Sequence, residues 1–188
     1  MDFKIEILRF PTKEDWERCK MLALNTAGKK YTGKEVTDEW KHKILKARHS
    51  PIRTLMFTIK MEIPYYVAMH FRTHKIGVEH YIQSQRNDRQ SNYDRETAPQ
   101  NAMVSHIMEI NAEQLMFMAN RRLCSMADKT TRYVMQAICR AVEFACPEFK
   151  GHFKPMCELL HECPEFNPCG YWDKKNNVIK HEDLCSHF

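Results

Sequence analysis

Residues 49–86 read HSPIRTLMFTIKMEIPYYVAMHFRTHKIGVEHYIQSQR. From Arg53 to Ile63 the pattern has a period of two. Leu55, Phe57, Ile59, Met61 and Ile63 take one side, while Thr54, Thr58, Lys60 and Glu62 mostly take the other. Side chains alternate across a strand, so this stretch predicts a strand buried on one face. Pro64, which has no N–H to give a ladder, closes it. A short helix-like segment follows and brings Arg72, His74 and Lys75 together, and a polar turn then supplies Ser84 and Arg86. Cations and a hydroxyl grouped in this way suit a phosphorylated ligand, through charge-assisted hydrogen bonds. A solvated charged turn would use the same residue types, and composition alone does not separate the two.

Upstream, Thr12-Lys-Glu-Asp15 reads as a capping box that opens a helix to about Asn25. A turn at Gly28 to Gly33 leads to a second helix, from about Thr37 to Arg48, with Trp40, Ile44 and Leu45 as its apolar stripe. Downstream, residues 85–101 carry almost nothing apolar and read as a long exposed loop of the kind that is often functional. Residues 102–110 make a second strand, and Asn111-Ala-Glu-Gln114 launches a helix to about Ser125. A further helix, about 128–146, buries Val134, Ala137, Ile138, Ala141 and Ala145 before Pro147 stops it. A short helix is expected around Pro155–His161. These elements make an α+β fold, with helices packed on a small, mostly antiparallel sheet.

The chain has 188 residues, enough for a single well-cored domain. We divide it into residues 1–146 and a Cys/His-rich C-terminal tail, 147–188, packed on the same domain. Lys and Arg number 29 against 24 Asp and Glu, for a net charge of +5. That balance suits a small anionic ligand but lacks the concentrated basic stripe of a nucleic-acid binder. No run approaches the roughly 20 apolar residues that span a bilayer. MDFKIEILRF alternates charged with apolar residues and has no apolar centre of the signal-peptide kind, so a cytoplasmic location is expected.

Two further groups can carry chemistry. Asn120, Arg122 and Arg132 flank Cys124-Ser-Met-Ala-Asp128, and a helix break there would let both arginines turn into one cleft. In the tail, Cys157, Cys163 and Cys169 recur at x5 spacing beside His152 and His161. Structural zinc sites use tighter pairs, so Cys157, Cys163, Cys169 and His161 are weak metal candidates. Buried thiols, a disulfide or a reactive cysteine at Cys169-Gly170 remain open for the tail. Cys19, Cys124 and Cys139 lie in helix-like segments and read as small buried hydrophobes.

Taken in order, these pieces resemble the flavin-dependent thymidylate synthases from about Thr26 to Ala145. His49-Ser50-Pro51 is similar to the family's His-x-Ser/Thr-Pro segment, and Thr73-His74-Lys75 followed by Ser84-Gln-Arg86 is similar to its Arg-His-Arg and Ser-x-Arg signature. Asn120-Arg-Arg122-Leu123 stands for its Asn-x-Arg-Leu, and Arg132 follows ten residues after Arg122. The resemblance implies α+β homotetramers with sites between subunits, making dTMP from dUMP with methylenetetrahydrofolate, FAD and NADPH. It implies Ser50, His74, Lys75, Asn120 and Arg122 for the flavin, and Arg72, Ser84, Arg86 and Arg132 for the nucleotide. It also implies that no protein nucleophile is needed. The chain departs from the pattern at Thr73 and Lys75, in a spacing to Ser84 one residue longer, at Arg53 where the family has Glu, and at Ser105 where it has Arg. Those changes leave room for another pyrimidine nucleotide as substrate, or for a non-catalytic nucleotide-binding homologue.

Overall fold

The computed structural model describes residues 3–89 and 94–176. Within them the order is β1 (Lys4–Arg9), α1 (Lys13–Thr26), α2 (Asp38–Ala47), β2 (Met56–Pro64), α3 (Tyr65–Arg72), β3 (Val78–Ile82), β4 (Met103–Asn111), α4 (Ala112–Arg122), α5 (Lys129–Ala145), α6 (Met156–Leu160) and α7 (Tyr171–Asn176). The strands form one antiparallel sheet in the order β1-β2-β4-β3. The α+β expectation holds.

The alternation that predicts β2 is realised in full. Leu55, Phe57, Ile59, Met61 and Ile63 are all fully buried, and each such side chain is worth about 1.5–3 kcal/mol relative to exposure. Across the ladder Ile59 faces Met108 and Met61 faces His106, so the core side of β4 is Val104, His106, Met108 and Ile110. Pro51 nucleates a single 3-10 turn over Ser50–Thr54, which takes Arg53 and Thr54 out of the expected strand. In that turn Arg53 meets Glu113 at 2.6 Å, an ion pair that ties the turn to α4.

Two strands go beyond the sequence reading. β1 lays Ile5 and Ile7 over Met61 and Ile59, and β3 runs beside β4 from Val78–Ile110 to Ile82–His106. Both helix starts hold: Thr12 and Asp15 form the reciprocal capping box, and Asn111 caps α4 by accepting from Gln114 N at 2.9 Å. The buried face of α5 keeps Val134 and Ile138 but is otherwise made by Thr131, Met135, Cys139 and Val142, while Ala137, Ala141 and Ala145, expected to be buried, are only half-buried at its edge. The tail shares this core. Phe149 is fully buried against Phe57 and Trp16, and Trp16 Nε1 donates to Glu148 Oε1 at 2.7 Å. Residues 90–93 of the expected loop and His181, Cys185 and His187 of the tail lie outside the described residues.

One turn fixes the entrance to the site. Gly77 has φ +71°, accepts a hydrogen bond from Asn111 N at 3.0 Å, and would place any Cβ 2.3 Å from Asn111 Nδ2. Gly77→Ala therefore combines left-handed strain with displacement of the α4 cap. The expected loss is about 2 kcal/mol, read as a lower urea midpoint at unchanged slope.

Candidate functional site

Two of the segments that carry the sequence motifs meet where α3 ends. α3 stops at Arg72, and the next two residues turn in opposite directions: Thr73 stays at the surface, while His74 folds inward to 8% exposure. Arg72 and Lys75 stay exposed, so the expected trio is split between surface and interior.

Arg122, on the last turn of α4, reaches into this bend. Its Nε donates to His74 Nε2 at 3.2 Å, and its Nη2 donates to His70 O and to Thr73 Oγ1, both at 2.8 Å. The guanidinium thus satisfies a carbonyl at the end of α3 and locks the bend to α4. Nη1 makes no hydrogen bond among the described residues. Thr73, which stands at the first position of the signature triplet, receives the arginine instead of supplying one.

Burial, and next the Arg122 charge, push the His74 imidazole down to about 4, so it is neutral at pH 7. Its Nε2 accepts from Arg122, so Nδ1 carries the proton; Nδ1 lies 3.3 Å from Gln114 Nε2, and a hydrogen bond there requires the amide turned so that its oxygen faces the ring. His80 Nε2 donates to His74 O at 3.0 Å. His80 Nδ1 then accepts from Nε2 of His106, also at 3.0 Å. His106 is fully buried, and its own Nδ1 has no partner among the described residues. Nothing in the sequence marked His80 and His106 as members of this network.

Ser84 and Arg86 sit just past β3. Gln83 N donates to Ser105 O at 2.8 Å, so this turn lies against the β4 position where the chain carries serine. Arg86 grips Asp88 through Nε and Nη2, at 2.8 and 2.7 Å. Both partners are more than half exposed, so the pair is worth at most about 1 kcal/mol and a phosphate can replace it. Ser50 is exposed at the start of the 3-10 turn.

Asn120 is on the other side of α4 from Arg122, as a two-residue step on a helix requires. It is fully buried. Its Oδ1 accepts from Arg48 Nη2 at 2.8 Å and its Nδ2 donates to Lys154 O at 2.5 Å. Arg48 holds a left-handed backbone (φ 49°), a strain on the order of 1 kcal/mol for a residue with a Cβ. Arg132 also points away from Arg122. The helix does break between α4 and α5, but Arg132 Nη1 donates to Ser125 O at 2.8 Å and faces a cavity of about 460 Å³ under the tail, which Arg122 does not line. The break therefore separates the two arginines.

The fold matches solved structures. Over 81% of this chain and 98% of the other, it superposes on thymidylate synthase X (ThyX) from Helicobacter pylori, a structure with FAD and dUMP, at a TM-score of 0.62 and 11% identity. This chain has the ThyX fold. The UMP/dUMP methylase PolB from Streptomyces cacaoi, bound with 5-Br dUMP, shares the ThyX fold at a TM-score of 0.60 and 14% identity, over 81% of this chain and 94% of that one. No family model matches the sequence, and neither does any curated protein. The ThyX likeness is therefore one of architecture.

Measured against the flavin that the sequence resemblance implies, the residues divide. Ser50 and Lys75 present surface and Arg122 a free Nη1 donor that a flavin could use, while His74 is buried with both ring nitrogens facing partners and acts through Arg122. The amide of Asn120 is already bonded at both ends, and a ligand would have to displace Arg48 or the Lys154 carbonyl to reach it. Among the described residues, no group of three His, Cys, Asp or Glu side chains is arranged to hold a metal, the weak candidates Cys157, Cys163, Cys169 and His161 included. No helix among them is long and apolar enough to cross a membrane.

Proposed function

We propose that this chain is a flavin-dependent enzyme of the ThyX type that methylates dUMP reductively to dTMP, with methylenetetrahydrofolate, FAD and NADPH. The observation that carries the reading is the Arg122–His74 bond. Two motif segments 48 residues apart, each matched to the family in sequence, meet in one directed contact on the fold that the family uses.

In this reading Ser84, Arg86 and Arg72 take the nucleotide phosphate and Arg132 a second part of the nucleotide. Ser50, His74, Lys75 and Arg122 hold the flavin, with Asn120 joining only if its present partners give way. Flavin, when bound, supplies the redox chemistry. The protein's share is orientation and charge. Neutral His74 fixes the Arg122 plane and leaves Nη1 as a donor, while Lys75 and Arg86 neutralise anionic oxygens. A homotetramer whose sites are completed by neighbouring copies belongs to the same proposal and rests on the family resemblance alone.

A second reading keeps the machinery and changes the nucleotide. Thr73, Lys75 and Ser105 replace arginines of the family pattern, and one protein of the same fold is named for both UMP and dUMP. Calorimetric titration of the purified chain separates the two. We expect saturable dUMP binding near one site per chain, weakened roughly tenfold by Arg86→Ala, the effect of one charge-assisted bond. Tighter binding of UMP supports the second reading, and no binding of either nucleotide defeats both.

A further inference from the structure

The cavity beneath the tail gathers thiols. Of the seven cysteines among the described residues, Cys124, Cys139, Cys157, Cys163 and Cys169 line it, drawn from the α4–α5 break, α5, α6 and the loop that follows. Cys139 and Cys157 are more than nine-tenths buried. Burial, and next the neighbouring Cys163 and Cys124, disfavour ionisation of Cys157.

Cys169 is different. It is exposed at the cavity and lies 2.8 Å from Ser125 Oγ, the residue whose carbonyl holds Arg132. The serine contact, assisted by a backbone N–H at Tyr171, holds this thiol below the ordinary cysteine range, although Asp173 opposes it. Charge around the cavity is uneven. Glu158 is taken by Tyr171 and Lys175, Glu165 pairs with Arg121, and Glu143 accepts from Gly151 N at 3.2 Å, while Arg132 and Arg140 have no carboxylate partner among the described residues, which leaves the cations in excess by one. Phe153 and Trp172 complete the walls.

We propose that this cavity is a thiol-modification site, in which Cys169 exchanges with an anionic low-molecular-weight disulfide and the acquired group lies in the cavity against Arg132 and Arg140. The Cys169 thiolate, its proton passed to solvent, attacks one sulfur of the disulfide. The S–S bond breaks, a Cys169–S–S–R bond forms, and the departing thiolate takes up a proton. The cysteine sulfur is oxidised and the leaving sulfur reduced, so no other oxidant is needed. The cavity volume, about 460 Å³, leaves room for a substituent of peptide size.

The test uses the full reduced chain with oxidised glutathione, which is anionic, and cystamine, which is cationic, followed by timed peptide mapping in a mass spectrometer. Cys169 is expected to be modified first, and oxidised glutathione to be favoured over cystamine roughly tenfold more strongly than in the urea-unfolded chain. Arg132→Gln with Arg140→Gln should remove that preference without removing the reactive thiol, and Ser125→Ala should slow both reagents. If Cys169 reacts no faster than Cys163, or shows the same preference folded and unfolded, the cavity is not a modification site. The readout is the mass of the chain, so it stands or falls separately from nucleotide binding.

Discussion

Between pH 6.5 and 4 the protein is expected to lose several kcal/mol of stability, well before most carboxylates titrate. His74 and His106 are held down to about 4 by burial, His74 next by Arg122 and His106 next by His80. His80 is lowered by burial as well. An unfolded chain binds protons at these positions from about pH 6.5, so the folded state, with lower values, is fully favoured above that pH. As pH falls toward 4 the unfolded state gains protons that the native network refuses, and the stability goes with them. For His106, which has no exposed surface, the loss is on the order of 3 kcal/mol, set against a total of about 5–15 for an ordinary domain. Urea unfolding at pH 7.5 and pH 5 measures it. His106→Leu should flatten the dependence while lowering stability at pH 7.5, because His80 Nδ1 then loses its donor. A midpoint that does not move between the two pH values would show that the histidines are not buried as described.

Phe149→Ala is expected to cost about 3–5 kcal/mol, the usual range for a fully buried phenylalanine that leaves a cavity. The ring packs edge-on against Phe57 at 5.2 Å and stacks with Phe153 at 6.1 Å, so one tail residue bridges the sheet and the chain that follows. Phe166→Ala is the matched control. That ring is 99% exposed and its loss should stay within about 0.5 kcal/mol. A chain cut after Cys146 should fare worse than Phe149→Ala, since it also loses the Lys154 carbonyl that pairs with Asn120. Thermal unfolding of the three variants gives the order directly.

These outcomes depend on features of unequal legibility. β2 could be read because its alternation is long and its apolar side chains are large. β1 alternates as well, but over six residues with Leu8 on the outer face, too short a pattern to outweigh its charges. β3 carries glutamate and histidine among five residues, and only its register with β4 shows which side is buried. The helix caps were legible because capping is local. The site was legible as a set of residues but not as an arrangement. Sequence order placed Arg72, His74 and Lys75 together, and the end of α3 separates them. Arg48 and Asn120 meet across 72 residues through a left-handed backbone that no neighbouring residue announces. Cys124 and Cys139 of the cavity come from the α4–α5 break and α5, so the x5 spacing of Cys157, Cys163 and Cys169 in the tail described only part of the cluster.

The central claim is that the end of α3, locked by Arg122, belongs to a flavin site. Titration of the purified chain with FAD, followed by flavin fluorescence and absorbance and repeated with Arg122→Ala, tests it most directly. Saturable binding near one flavin per chain, weakened at least tenfold by the loss of the guanidinium, is the predicted result. Absence of saturable binding, or binding that Arg122→Ala leaves unchanged, would contradict it.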